Sequence, residues 1–82
     1  MTPTQKKRMD IESKAGELGF MKDRWGHWKK EIDGCQHRLK FQKTSLRFER
    51  KTDYDWFSIA SDYFKNIQVI PEGISIKRRL VK

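Results

Sequence analysis

The sequence holds one cysteine, two prolines and five scattered glycines in 82 residues. A single cysteine excludes an internal disulfide, and Cys35 is expected to be a reduced core thiol in a cytoplasmic protein. No stretch is long or apolar enough to span a bilayer, so no membrane partner is expected. The charged first residues do not read as a secretory signal. Dispersed glycines exclude a Gly-rich phosphate loop. Apolar residues are scarce as well, at 35% against 37% charged, so the core is expected to be thin. Residues 1–82 suffice for one small basic domain and not for two.

Aromatics compensate for that thinness. Three Trp, five Phe and two Tyr are present, and such side chains bury the most area per residue. Their number argues for a folded domain over a disordered chain. The net charge is +8 and is unevenly spread. Residues 1–20 carry +1, residues 21–51 carry +6, residues 52–72 carry −3 and residues 73–82 carry +4. Segregation of this kind gives a molecule an orienting field.

Thr2-Pro3-Thr4-Gln5 reads as a helix start with a capping box. Ile11, Ala15 and Leu18 follow at helical spacing, and Gly19 stops a helix over about 3–18. Residues 25–51 read as a three-stranded antiparallel meander. Asp33-Gly34 is a favoured two-residue hairpin turn, and Lys43-Thr44 would be the second. The two turns put Trp28, Ile32, Cys35, Leu39, Phe41, Leu46 and Phe48 on one face. Alternation then places Trp25, His27, Lys29, Glu31, Arg38, Lys40, Gln42, Ser45, Arg47, Glu49 and Lys51 on the other. Across strands, Arg38 opposes Glu49, whereas Lys40 opposes Arg47, a like-charge pair that costs stability.

Residues 53–66 read as a second helix packed on the sheet, with a strand over 56–61 as the alternative, since Trp, Phe, Ile, Ser and Tyr are mediocre helix formers. Thr52 is its cap, Asp53 and Asp55 lie in its first turn, and Trp56 to Ile67 show helical spacing. A C-terminal hairpin follows, turning at Pro71-Glu72-Gly73. The expected fold class is α+β: N-terminal helix, three-stranded meander, second helix, terminal β-hairpin. The acidic second helix would lie far from the basic face.

No catalytic centre, cofactor or metal is expected. His27, Cys35 and His37 are the only soft metal ligands, and the meander puts His27 on the opposite face from the other two. Cys35 and His37 share a face, but no third group orients them. The basic face suggests other chemistry. Cations interleaved with aromatics suit phosphate contact and base stacking, and a sheet in a major groove can read bases with Arg.

The order helix, three strands, helix resembles the double-stranded RNA-binding domain. That family's second helix begins with a lysine cluster aimed at phosphates, where this sequence has Asp53-Tyr54-Asp55, which would repel them, so the match is rejected. A three-stranded sheet backed by a helix also resembles AP2-like domains and the arm-binding domains of phage integrases. That resemblance is architectural, spans about 25–66, rests on no motif, and implies sheet-face DNA readout.

The expectation is a monomeric, non-catalytic nucleic-acid-binding domain, DNA favoured over RNA. Arg38, Lys40 and Arg47 would be central contacts, Lys29 and Lys51 flanking ones, and Trp25 a stacking residue. Arg78 and Arg79, with Lys77 and Lys82, would follow a neighbouring phosphate strand. The rival expectation is a small protein-binding module or inhibitor that docks an acidic protein surface.

Overall fold

The computed structural model describes residues 2–78. Helix α1 (Pro3–Glu17) is followed by strands β1 (Met21–Lys22), β2 (Trp28–Ile32), β3 (Cys35–Phe41), β4 (Ser45–Lys51) and β5 (Trp56–Tyr63). A 3₁₀ turn (Phe64–Asn66) leads to β6 (Gln68–Ile70) and β7 (Gly73–Ser75). Strands β1 to β5 form one antiparallel sheet in chain order, and β6 pairs with β7 in a separate hairpin.

Local chemistry sets the helix ends. Gln5 N–H donates to Thr2 Oγ1 at 3.1 Å and Thr2 N–H to Gln5 Oε1 at 2.9 Å, a closed capping box. At the other end Gly19 has φ +93°. Phe20 N–H reaches back to the Ala15 carbonyl and Gly19 N–H to that of Gly16, the paired bonds of a left-handed helix stop. The Asp33-Gly34 turn has φ of +52° and +80°, the two positive values a tight twisted hairpin requires.

Register follows from these turns. Trp28 pairs with Leu39, Lys29 with Arg38 and Ile32 with Cys35. Leu39 pairs with Phe48, Lys40 with Arg47 and Phe41 with Leu46. Leu39, Phe41 and Leu46 thus point to one side of the sheet. There they meet Ile11 and Ala15 of α1, with Phe20, Phe64 and Ile67, in one buried cluster. The helix is tied to the terminal hairpin from above, Lys7 Nζ donating to the Ile67 carbonyl and Lys14 Nζ to that of Pro71.

The fold differs from the sequence expectation in two sheet elements. The second helix does not exist, because residues 56–63 are strand β5, and β1 adds a further edge strand before the expected meander, so the sheet has five strands, not three. Thr52 does cap, but it caps a hairpin turn. Its hydroxyl accepts from Asp55 N–H at 3.0 Å, and Thr52 N–H donates to the Asp55 carbonyl at 2.7 Å. A hydroxyl that accepts from an N–H three residues on closes a turn as readily as it starts a helix. The following residues are then drawn into the β4 ladder, and a bulge at Ile59 lets Phe48 face Ala60 while Glu49 faces Ser58. Cys35 is a further correction. It is exposed beside the hairpin turn, not buried in the core. His37 is half-buried and stacks on Phe48 at 5.4 Å. No helix among the described residues is long and apolar enough to cross a membrane.

Candidate functional site

The sheet face away from α1 carries the candidate site, and β5 enlarges it. Outward positions are Lys29 on β2, Arg38 and Lys40 on β3, Arg47, Glu49 and Lys51 on β4, and Trp56, Ser58 and Ser61 on β5. Two rows run across the strands. One row holds Lys29, Arg38, Glu49 and Ser58, flanked by the Lys51–Trp56 pair. The other holds Lys40, Arg47 and Ser61.

Trp56 organises the first row. The Arg38 guanidinium lies 4.2 Å from its ring centre, Lys51 Nζ 5.6 Å and Lys29 Nζ 5.9 Å. These are cation–π distances, shortest for the planar guanidinium. Arg38 Nε also donates to Glu49 Oε1 at 2.7 Å, and Ser58 Oγ lies 3.4 Å from Glu49 Oε2. Among the described residues Glu49 is the one buried charged residue, only 4% exposed. Arg38 is therefore committed twice, to Glu49 and to Trp56.

Trp25 lies outside the strands, in the bend between β1 and β2, and is 64% exposed. Asp23 shapes that bend: its Oδ1 accepts from the N–H groups of Trp25 and His27, each at 2.9 Å, and Lys29 Nζ approaches its Oδ2 at 3.4 Å. Burial works to raise the Asp23 carboxyl, but these N–H groups and Lys29 outweigh it and hold the group below the ordinary aspartate value. Arg24 stacks on Trp25 at 4.3 Å, and Lys29 Nζ lies 5.8 Å from its ring.

The second row is different in kind. Lys40 and Arg47 face each other, and among the described residues no carboxylate forms an ion pair with either. Arg47 Nε is buried without a hydrogen-bond partner there. Beside them His27 Nδ1 accepts from Phe41 N–H at 3.1 Å, which requires that nitrogen to be unprotonated. Burial is the main cause that lowers the His27 pKa. Arg38 and Lys40 lower it further, against Asp23 and Glu49. His27 is thus a neutral member of a cationic row.

The structure brings Trp25, Lys29, Arg38, Lys40, Arg47 and Lys51 together on one surface. Arg78 is exposed, and its carbonyl accepts from Ser61 N–H at the outer edge of β5. Arg79 lies outside the described residues. Sequence reasoning missed Trp56, because the helical reading turned it toward the core, and missed Asp23 as the anchor of the Trp25 bend. The signals were there: Trp56, Ser58, Ser61 and Tyr63 make a polar-aromatic face, and Asp precedes Trp25 by two residues, the spacing of an Asx turn. The acidic segment also needs redrawing. Asp53 and Asp55 sit in the β4–β5 turn at one end of the sheet, not on a helix behind it. Among the described residues no three His, Cys, Asp or Glu side chains converge as a metal site.

Comparison with protein-family models, with curated proteins and with solved structures finds no match to this chain.

Proposed function

We propose that the protein is a non-catalytic nucleic-acid-binding domain that uses the outer sheet face, with DNA the expected ligand. The observation that carries this is the Lys40–Arg47 pair. Two cations opposite one another in the middle of a sheet, with no acid between them, oppose folding. An external polyanion turns that cost into binding energy, since each phosphate contact releases condensed counterions. Aromatic rings in the adjoining row supply a surface for bases.

The test is a fluorescence-anisotropy titration of labelled single-stranded DNA, duplex DNA and RNA at two salt concentrations. Wild type is compared with Lys40→Ala/Arg47→Gln. Arg38 is left intact, because its removal would strand Glu49 and confuse binding with folding. Expected is salt-sensitive binding, with a log–log slope that becomes shallower by about 0.7–0.9 for each phosphate the variant no longer neutralises. A protein that binds none of the three at low salt overturns the reading. It would point instead to a docking module for an acidic protein surface, with one saturable site and a less regular salt response.

A further inference from the structure

Two features of the outer face decide between single-stranded and duplex ligands. The first is width. From β2 to β5 three inter-strand spacings of ~4.8 Å make the platform about 14 Å across before side chains are added. A B-DNA major groove is about 12 Å wide. A three-stranded sheet could lie in that groove, but a platform extended by β5, with Trp56 standing on it, is too broad to enter.

The second feature is the separation of the aromatic row, whose Lys29 and Arg38 are paired with acids, from the row of Lys40 and Arg47, which among the described residues are not. Lys29 Nζ lies 5.8 Å from the Trp25 ring centre and 5.9 Å from that of Trp56, so the two rings are less than about 12 Å apart. At the ~3.4 Å stacked rise of a nucleic-acid strand, about three nucleotides cover that distance, and an extended strand needs fewer. Along β3 and β4, Lys40 and Arg47 stand two residues from Arg38 and Glu49, a displacement of about 7 Å. Acids follow the aromatic row: Glu49 lies in it, Asp23 anchors the Trp25 bend, and Asp53 and Asp55 lie in the turn before Trp56. Lys29 and Arg38 beside the rings are already engaged by Asp23 and Glu49, so a phosphate gains more at Lys40 and Arg47 of the other row, which pair with no carboxylate among the described residues, while uncharged bases meet no penalty on the rings. In a duplex the base faces are already stacked on one another and cannot reach either ring.

We infer that the ligand is a single strand that lies across the sheet, its bases on Trp25 and Trp56 and its phosphates along Lys40 and Arg47. This inference rests on the nucleic-acid reading above and narrows it to one class of ligand.

The experiment titrates three probes against the intact chain: an oligothymidylate of about 15 nucleotides, an abasic oligomer of the same length, and a duplex of that length. Wild type should bind the oligothymidylate at least tenfold tighter than the other two, with quenched tryptophan fluorescence. Trp25→Ala should weaken oligothymidylate binding by roughly 5- to 150-fold, leave the salt slope unchanged, and bring the affinity toward that of the abasic strand. Trp25→Phe should restore most of the affinity. Lys40→Ala/Arg47→Gln should do the reverse, reducing the slope while keeping the preference for bases. Trp25 is 64% exposed, so its truncation leaves the fold standing. Equal affinity for thymidylate and abasic strands, or a duplex bound as tightly as the single strand, overturns the inference while the nucleic-acid reading survives. No binding to any probe at low salt overturns both.

Discussion

Arg38→Ala is expected to damage the fold more than any other single truncation on the outer face. The reason lies beneath it. Glu49 is 4% exposed, and the Arg38 side chain that neutralises it is 16% exposed, with 2.7 Å between Nε and Oε1. Removal of one partner from a buried pair costs about 3–5 kcal/mol, because the remaining charge is left without compensation. Arg38 reaches the surface at its tip, so about 3 kcal/mol is the expected destabilisation. For a domain of this size that lowers the melting temperature by on the order of 15 °C. Replacement of both partners, Arg38→Met with Glu49→Leu, removes the charge along with its partner and should recover most of the stability. Glu49→Gln alone should cost less than Arg38→Ala, since the guanidinium it frees still stacks on Trp56 and touches solvent. Urea unfolding of wild type and these three variants measures each cost and the coupling between the two side chains. An Arg38→Ala effect below about 1 kcal/mol, the range of a surface pair, would refute the claim that Glu49 is a buried charge held by Arg38.

Two further outcomes follow from the polar contacts. Asp23→Ala removes the acceptor for Trp25 and His27 N–H, and should cost about 1–2 kcal/mol while weakening single-strand binding; unchanged hydrogen exchange at those two amides would contradict it. Stability should also fall with acid in two stages. His27 has a folded pKa below its ordinary 6.5, so the unfolded chain takes up its proton first, and stability declines as pH drops from there toward the folded value. Asp23 adds a second decline below its ordinary 3.8, since its folded pKa is also depressed. Urea midpoints from about pH 7.5 to 3 measure both, and His27→Gln, which keeps an acceptor for Phe41 N–H, should flatten the first decline and spare the second.

The sequence is most informative where turn chemistry and alternation agree. Asp33-Gly34 sets the Trp28–Leu39 register because positive φ at both positions permits only a tight turn, and one consistent apolar face then extends to Leu46 and Phe48. The cationic half of the candidate site comes with it, since Lys29, Arg38, Lys40 and Arg47 alternate with that core. The element at 53–66 misleads because its start is ambiguous at the level of hydrogen bonds. Thr52 followed by acids caps a helix or closes a hairpin with the same hydroxyl contact. Composition leans the other way: Trp56, Phe57, Ile59 and Tyr63 favour strands, and an unpaired β4 edge next in sequence decides the matter. Trp56 is hidden along with that element. Its role depends on register across two strand pairs and a bulge at Ile59, which no local pattern encodes.

Under the proposed function the Lys40–Arg47 pair sets folding against binding, and the opposition can be measured. Like charges directly opposite on a sheet are destabilising, whereas opposite charges there contribute up to about 1 kcal/mol. Lys40→Glu would place a carboxylate beside Arg47, whose Nε has no hydrogen-bond partner among the described residues. The variant should therefore melt higher by roughly 4–8 °C, the shift that about 1 kcal/mol produces in a domain of this size. The same change removes one cation from the row proposed to hold phosphates, neutralises the second and adds a repulsive charge. Affinity for a single strand should fall at least tenfold, with a shallower salt slope. A protein that becomes both more stable and less able to bind would show that the pair is kept for its ligand. If Lys40→Glu raises the melting point and leaves binding intact, the unpaired cations serve neither fold nor partner, and the contact surface lies elsewhere on the molecule.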